Sequence, residues 1–145
     1  MAIRQFEQRD FPAILEIYAL SKLDELRFEF SCFQLLPLEQ DARRLSQLLA
    51  SEIYVFDSGK IEGYGALFRN EIRALFVNPH CRQRGVGSQL MQFMLASVTG
   101  SAELYIAKSN LPARRLYEKF GFDVVDEFET DYNGVPVVAS KMRRL

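Results

Sequence analysis

Apolar and polar residues alternate from Ala2 to Glu7, the two-residue period of a short strand. Asp10 is a good N-cap residue and Pro12 suits a first helical turn. Ile14, Leu15, Tyr18 and Ala19 then line one face of a predicted helix running toward Leu26. From Asp24 to Leu36 the period breaks. Phe28, Phe30 and Phe33 lie there among acidic residues, with core packing as the expectation for their rings and acceptor binding as the alternative. Pro37 opens a second predicted helix, marked by Ala42, Leu45, Leu48 and Leu49.

Strand signals follow. Ile53 to Asp57 and Lys60 to Phe68 read as a hairpin about the Ser58-Gly59 turn, with Gly63 and Gly65 marking a bend or a close approach. Arg69-Asn70 is the next turn, and Glu71 to Val77 the next strand. Val86, Leu90, Phe93, Met94 and Val98 form the stripe of a helix lying on a sheet. Ala102 to Ala107 is a short strand. A helix then starts around Ser109, Asn110 and Pro112, runs through Ala113, Leu116, Tyr117 and Phe120, and ends at Gly121. Phe122 to Tyr132 and Val135 to Met142 are strands joined by Asn133-Gly134, the strongest short hairpin signal in the chain. The pattern predicts one α/β domain over residues 1–145, with a mixed, largely antiparallel central sheet flanked by helices.

Composition narrows the partners. A length of 145 residues and 48% hydrophobic content allow a real core in one domain. A net charge of -1 gives no global electrostatic reason to expect nucleic acid or an anionic membrane. Cys32 and Cys81 are the only cysteines, and MAIRQFEQRD lacks the apolar centre of a signal peptide, so a reducing, cytoplasmic setting is expected. His80 has no ligand partner at metal spacing and reads as an exposed loop residue; no metal site is expected. Cys81 adjoins arginines that could lower its pKa, yet no partnering histidine makes it a nucleophile. Asp123, Asp126, Glu127, Glu129 and Asp131 read as a solvated face, part of which is a lesser candidate for attracting a cationic amine.

The chemistry concentrates between Leu75 and Ser88. A strand ends at Asn78-Pro79, a basic loop Arg82-Gln83-Arg84 follows, and Gly85-Val86-Gly87-Ser88 opens a helix. Glycines at a helix N-terminus leave unpaired amides and the positive dipole end open to an anion, and two arginines add forked donors suited to phosphate. A dinucleotide fingerprint would need a third glycine where Leu90 stands, and a Walker loop would need a lysine before Ser88. Neither fits. The spacing of Arg82, Gly85 and Gly87 after a strand resembles the acyl-CoA signature of the GNAT N-acetyltransferase superfamily. A second run, from Asn110 through Ala113 and Tyr117 to Gly121-Phe122, resembles that superfamily's later motif at all its spaced positions. The two cover the chain from about Glu71 to Phe122; the first part shares only the order of elements.

The resemblance implies an acetyl-CoA-dependent N-acetyltransferase that moves the acetyl group directly to an amine. It implies that Arg82, Gln83, Arg84, Gly85, Val86, Gly87 and Ser88 surround the pyrophosphate. Leu75, Phe76 and Val77 would lie along the pantetheine arm, with the amides of Leu75 and Val77 pairing to it as a strand would. Asn110 caps its helix or bonds the cofactor. Acyl transfer to an amine also needs a base and a proton for the departing thiolate. Glu71 is the candidate base, with a surface glutamate as the alternative. Tyr117 is the candidate acid, since its phenol is protonated at neutral pH, with a packed core aromatic as the alternative. The acceptor is expected to be a small-molecule or peptide amine selected by the Asp24 to Leu36 segment. Many superfamily members pair, so a homodimer is compatible with the resemblance. A CoA-binding sensor without turnover and a plain nucleotide-binding module are the competing readings.

Overall fold

The computed structural model describes residues 2–145. One seven-stranded sheet runs through it in the order β1-β2-β3-β4-β5-β7-β6. The strands are β1 (Ala2–Gln5), β2 (Glu52–Asp57), β3 (Ile61–Phe68), β4 (Glu71–Val77), β5 (Ala102–Ala107), β6 (Asp123–Tyr132) and β7 (Val135–Arg144). The helices are α1 (Phe11–Ser21), α2 (Ala42–Leu49), α3 (Val86–Ala96) and α4 (Leu111–Lys119). All neighbouring strands are antiparallel except β4 and β5, so the sheet is mixed and largely antiparallel as the pattern predicts. No helix among the described residues is long and apolar enough to cross a membrane.

Local chemistry explains most boundaries. Asn133 (φ 49°) and Gly134 (φ 82°) are both left-handed, the conformation that matches a tight turn to the twist of β6 and β7. The Asp41 side chain accepts from the Arg44 amide and caps α2. The second helix therefore starts at Ala42, and Pro37 only precedes a single 3-10 turn at Leu38–Gln40. Asp10 does not cap α1 as expected; its carboxylate accepts from the Glu7 amide at 2.8 Å and from the Arg4 guanidinium at 2.8 and 2.9 Å. The α1 stripe is Ile14, Ile17 and Tyr18, with Ala19 exposed, and the chain tightens into a 3-10 turn from Lys22 to Leu26.

Two apolar layers cover the two faces of the sheet. Leu90, Met91 and Met94 of α3 pack with Ile72, Leu104, Phe122 and Met142, while Ile14, Ile17 and Tyr18 of α1 pack with Leu48, Val55 and Tyr64. The helix α3 lies unusually close to β3. A Cβ on Gly65 would sit 2.6 Å from Met94 Cε, and one on Gly63 would sit 2.9 Å from the Phe76 carbonyl oxygen and 3.1 Å from a Val86 methyl. The glycines of β3 thus mark the expected close approach. Phe93 of the predicted stripe is exposed and meets the Tyr54 ring at 5.0 Å. Phe28 and Phe30 are exposed too, against expectation; of the three rings only Phe33 packs, against Leu26, Tyr132 and Val137.

Candidate active site

The sheet opens between β4 and β5. Their register contains a single pair, Glu71 opposite Glu103, beside one backbone bond from the Glu103 amide to the Asn70 carbonyl at 2.9 Å. The opening has a cause in β4 itself. Leu67 faces Ile72 and Ala66 faces Ala74, so Arg73 is an extra residue with no partner, and such a bulge bends its strand. Beyond it the two parallel strands part around a cleft of about 670 Å³.

The open edge of β4 carries backbone groups that β3 does not use. The Asn78 amide donates to the Glu62 carbonyl at 2.8 Å, so strand alternation turns the amides and carbonyls of Val77 and Leu75 toward the gap. The Ser21 hydroxyl meets the Val77 carbonyl there at 3.3 Å. Phe76 also lines the cleft, edge-on to Tyr18 at 5.6 Å.

At the far end of β4 lies the glycine loop. Gln83 (φ 66°) and Gly85 (φ 78°) are left-handed and fold the chain over the start of α3. Gly85 is the N-cap and offers no side chain to the first helical turn, whereas α2 and α4 are capped by Asp41 and Asn110. The first-turn amides of Val86, Gly87 and Ser88 are therefore left for another acceptor. A Cβ on Gly85 would meet only Gln89 Nε2 at 3.6 Å, and one on Gly87 only Val77 Cγ2 at 3.5 Å, so the space over the loop is open. An uncapped helix start with open space in front of it has the geometry of an anion cradle.

Most of the other residues singled out in the sequence line the same cleft, with some exceptions. Arg82, Gln83, Gly85, Val86, Gly87, Ser88 and Asn110 all line the cleft. Val86 does so with its side chain buried in the core, so it has only backbone to offer. Arg84 does not reach the cleft; its guanidinium turns to the buried Glu62 carboxylate at 3.6 Å. Asn110 is buried and takes the Ala113 amide at 3.4 Å, which makes it the cap of α4. None of the β6 acids lines the cleft, and Glu127 pairs with Lys108 at 3.3 Å, so the idea that this run attracts the acceptor is set aside. Cys81 is buried, and burial with the neighbouring Glu62 pushes its thiol up, the reverse of activation by arginine.

Tyr117 and Glu71 share the cleft. The Tyr117 ring leans on Phe122 at 6.3 Å, and burial pushes its phenol well up, aided by the negative charge of Glu25. Glu71 sits at the pinned end of the gap and pairs with Arg73 Nε at 3.5 Å. The wall facing them holds residues that sequence reasoning missed: Tyr18, Lys22, Glu25 and Arg44. In the sequence Tyr18 is a residue of the first helix's apolar face, and the three-residue spacing of Lys22 and Glu25 is the one signal that could have pointed to a pair.

Comparison with known proteins agrees with this geometry. The acetyltransferase (GNAT) domain family matches residues 50–124. The peptidyl-lysine N-acetyltransferase YiaC of Escherichia coli is 29% identical over 128 residues, covering 86% of this chain and 84% of the relative. The apo form of YjaB from Escherichia coli has the same fold, with a TM-score of 0.74 at 22% identity over 99% of this chain and 97% of that one. So does a phosphinothricin acetyltransferase of Sinorhizobium meliloti solved with acetyl-CoA, with a TM-score of 0.70 at 19% identity over 98% and 86% of the two chains. With a domain match over more than half its length, this chain belongs to the GNAT acetyltransferase family.

Proposed function

We propose that this protein transfers an acetyl group from acetyl-CoA to a primary amine in one ternary complex, with no acyl-enzyme. The observation that carries the reading is the continuity of a single cleft. It joins the uncapped N-terminus of α3, the free edge of β4 and the phenol of Tyr117. Those parts suit acetyl-CoA: open space over Gly85 and Gly87 with unpaired amides for the pyrophosphate, Arg82 beside it, and the Leu75 and Val77 backbone for the amide-bearing arm. The names of two similar proteins support the pairing of acetyl-CoA with an amine, one solved with acetyl-CoA and one acting on peptidyl-lysine.

Bound acetyl-CoA supplies an activated thioester. The protein supplies proton handling and position. The Tyr117 hydroxyl donates to the sulfur that leaves, and its raised pKa keeps that proton available across the working pH range. The Glu71 carboxylate takes a proton from the acceptor ammonium, directly or through water, since an alkylamine with a pKa near 10.4 is mostly charged at neutral pH. Cys81 is buried with its thiol pushed up and offers no nucleophile for a covalent intermediate, which favours direct transfer. An exposed, unpaired Cys32 suits a reducing, cytoplasmic setting.

Calorimetric titration with acetyl-CoA and with ATP tests the cofactor: acetyl-CoA is expected to bind and ATP not. Thiol release across a panel of amines tests the chemistry. Tight acetyl-CoA binding with no release on any amine would turn the reading to a sensor.

A further inference from the structure

The wall of the cleft formed by the end of α1, the Lys22–Leu26 turn and α2 contains an unsatisfied group. Tyr18 is only 4% exposed, and its hydroxyl is the one fully buried side-chain polar atom without a hydrogen-bond partner among the described residues. Such a group costs stability unless something pairs with it. Around it are two cations held in place. Lys22 Nζ lies 6.0 Å from the Tyr18 ring centre and 5.4 Å from that of Tyr132, and the Arg44 guanidinium lies 5.1 Å from Tyr132. The Tyr132 hydroxyl is fixed by the Leu36 amide at 2.9 Å, so this aromatic backing is rigid.

Each cation already holds a carboxylate. Lys22 bonds Glu25 at 2.8 Å, and one nitrogen of Arg44 bonds Asp41 at 3.2 Å. Asp41 is committed to capping α2, which leaves the rest of the Arg44 fork for the cleft that it lines. Each of these cations is thus matched by one carboxylate, and Asp24 of the same turn is matched by Arg82. An acceptor that brings only an ammonium would upset that balance and leave the Tyr18 hydroxyl and the free Arg44 donors unpaired. A zwitterion would not.

We propose that the acceptor is a free α-amino acid, its carboxylate held by Arg44 and the Tyr18 hydroxyl and its ammonium directed to Glu71, the proposed base, in the same cleft. This rests on the reading of the chain as an amine acetyltransferase. Burial pushes the Tyr18 phenol up, so it serves here as a hydrogen-bond donor.

The test uses matched pairs that differ only in the carboxylate: leucine with isoamylamine, phenylalanine with phenethylamine, glutamate with 4-aminobutyrate, lysine with cadaverine. Each is measured by thiol release with acetyl-CoA and, independently of turnover, by calorimetry on protein saturated with CoA. At least one amino acid is expected to exceed its amine about ten- to hundredfold, through KM rather than kcat, the size of a charge-assisted contact. Tyr18→Phe and Arg44→Gln are each expected to bring that amino acid down to the level of its amine without changing CoA affinity. Tyr18→Phe removes an unsatisfied buried hydroxyl, so its melting temperature should be unchanged or higher. Equal use of amines, of amino-acid amides or of a lysine-bearing peptide would overturn the proposal and leave the acetyltransferase reading standing, as would absence of any amino-acid binding to the CoA-loaded protein. Failure of CoA itself to bind would instead overturn the proposed function.

Discussion

Arg82 donates to Asp24 at 2.7 Å, tying the glycine loop to the Lys22–Leu26 turn at the rim of the cleft. Both side chains are half exposed, so the pair is easily exchanged for a better anion. Arg82→Ala should weaken acetyl-CoA binding about ten- to hundredfold at low salt. Asp24→Asn frees Arg82 and should strengthen it. Calorimetry on both variants checks the pair, and equal affinities in wild type and Arg82→Ala would make Arg82 a bystander.

Gly87 and Gly63 make opposite predictions. Space is open over Gly87, so Gly87→Val should fold with near-native stability and lose acetyl-CoA affinity, because its side chain would fill the open space in which the proposal puts the pyrophosphate. Gly63 has backbone within 2.9 Å of where a Cβ would go, so Gly63→Ala should destabilise by about 1–3 kcal/mol through overpacking. Thermal melts alongside titrations separate the two.

Tyr117→Phe keeps the ring and its contact with Phe122. Turnover should fall about 10²–10⁴-fold with acetyl-CoA affinity nearly unchanged. Because burial raises the phenol pKa, wild-type activity should show no alkaline loss from this group up to about pH 10, its ordinary value. Glu71→Gln should instead depress turnover most near neutral pH and recover as the amine loses its own proton at higher pH. A flat, fully active Glu71→Gln profile would leave the base to water.

Acid stability follows from carboxylates that the fold holds below their usual range. The Arg4 guanidinium holds Asp10 below its usual range; the Gly59 amide and Arg4 do so for Asp57, and Lys141 and Arg143 for Glu103. Each folded pKa lies below the unfolded value near 4, so this stabilisation is fully present above that pH and is lost as pH falls through the folded values. The melting temperature should be flat from neutral to about pH 5 and drop below about pH 4. Asp10→Asn should lower the neutral melting temperature by roughly a few degrees and flatten the acid slope.

Much of this was legible in the sequence because local chemistry settles it. The Asn133-Gly134 hairpin, the Gly85 start of α3 and the Asn110 cap of α4 depend on residues within a few positions of each other. The missed features depend on distant partners. Phe30 reads as core by type, but no element packs over it. Asp10 looks like a helix cap until Arg4 takes its carboxylate, and Arg84 looks like a phosphate ligand until Glu62 takes its guanidinium. Tyr18, Lys22 and Arg44 become a site only when α1 and α2 are laid beside β4.

The bulge at Arg73 has a mechanical consequence. One half of the molecule, β1 to β4 with α1 to α3, meets the sheet's other half, β5 to β7 with α4, in register at Glu71 and Glu103 alone. A ligand laid along the vacant edge of β4 takes the place of an absent strand and clasps the halves together. Hydrogen–deuterium exchange should slow in β5 as well as at the ligand, and the chain's resistance to unfolding should rise with the logarithm of ligand concentration. What the protein turns over is, while it stays bound, also part of its architecture.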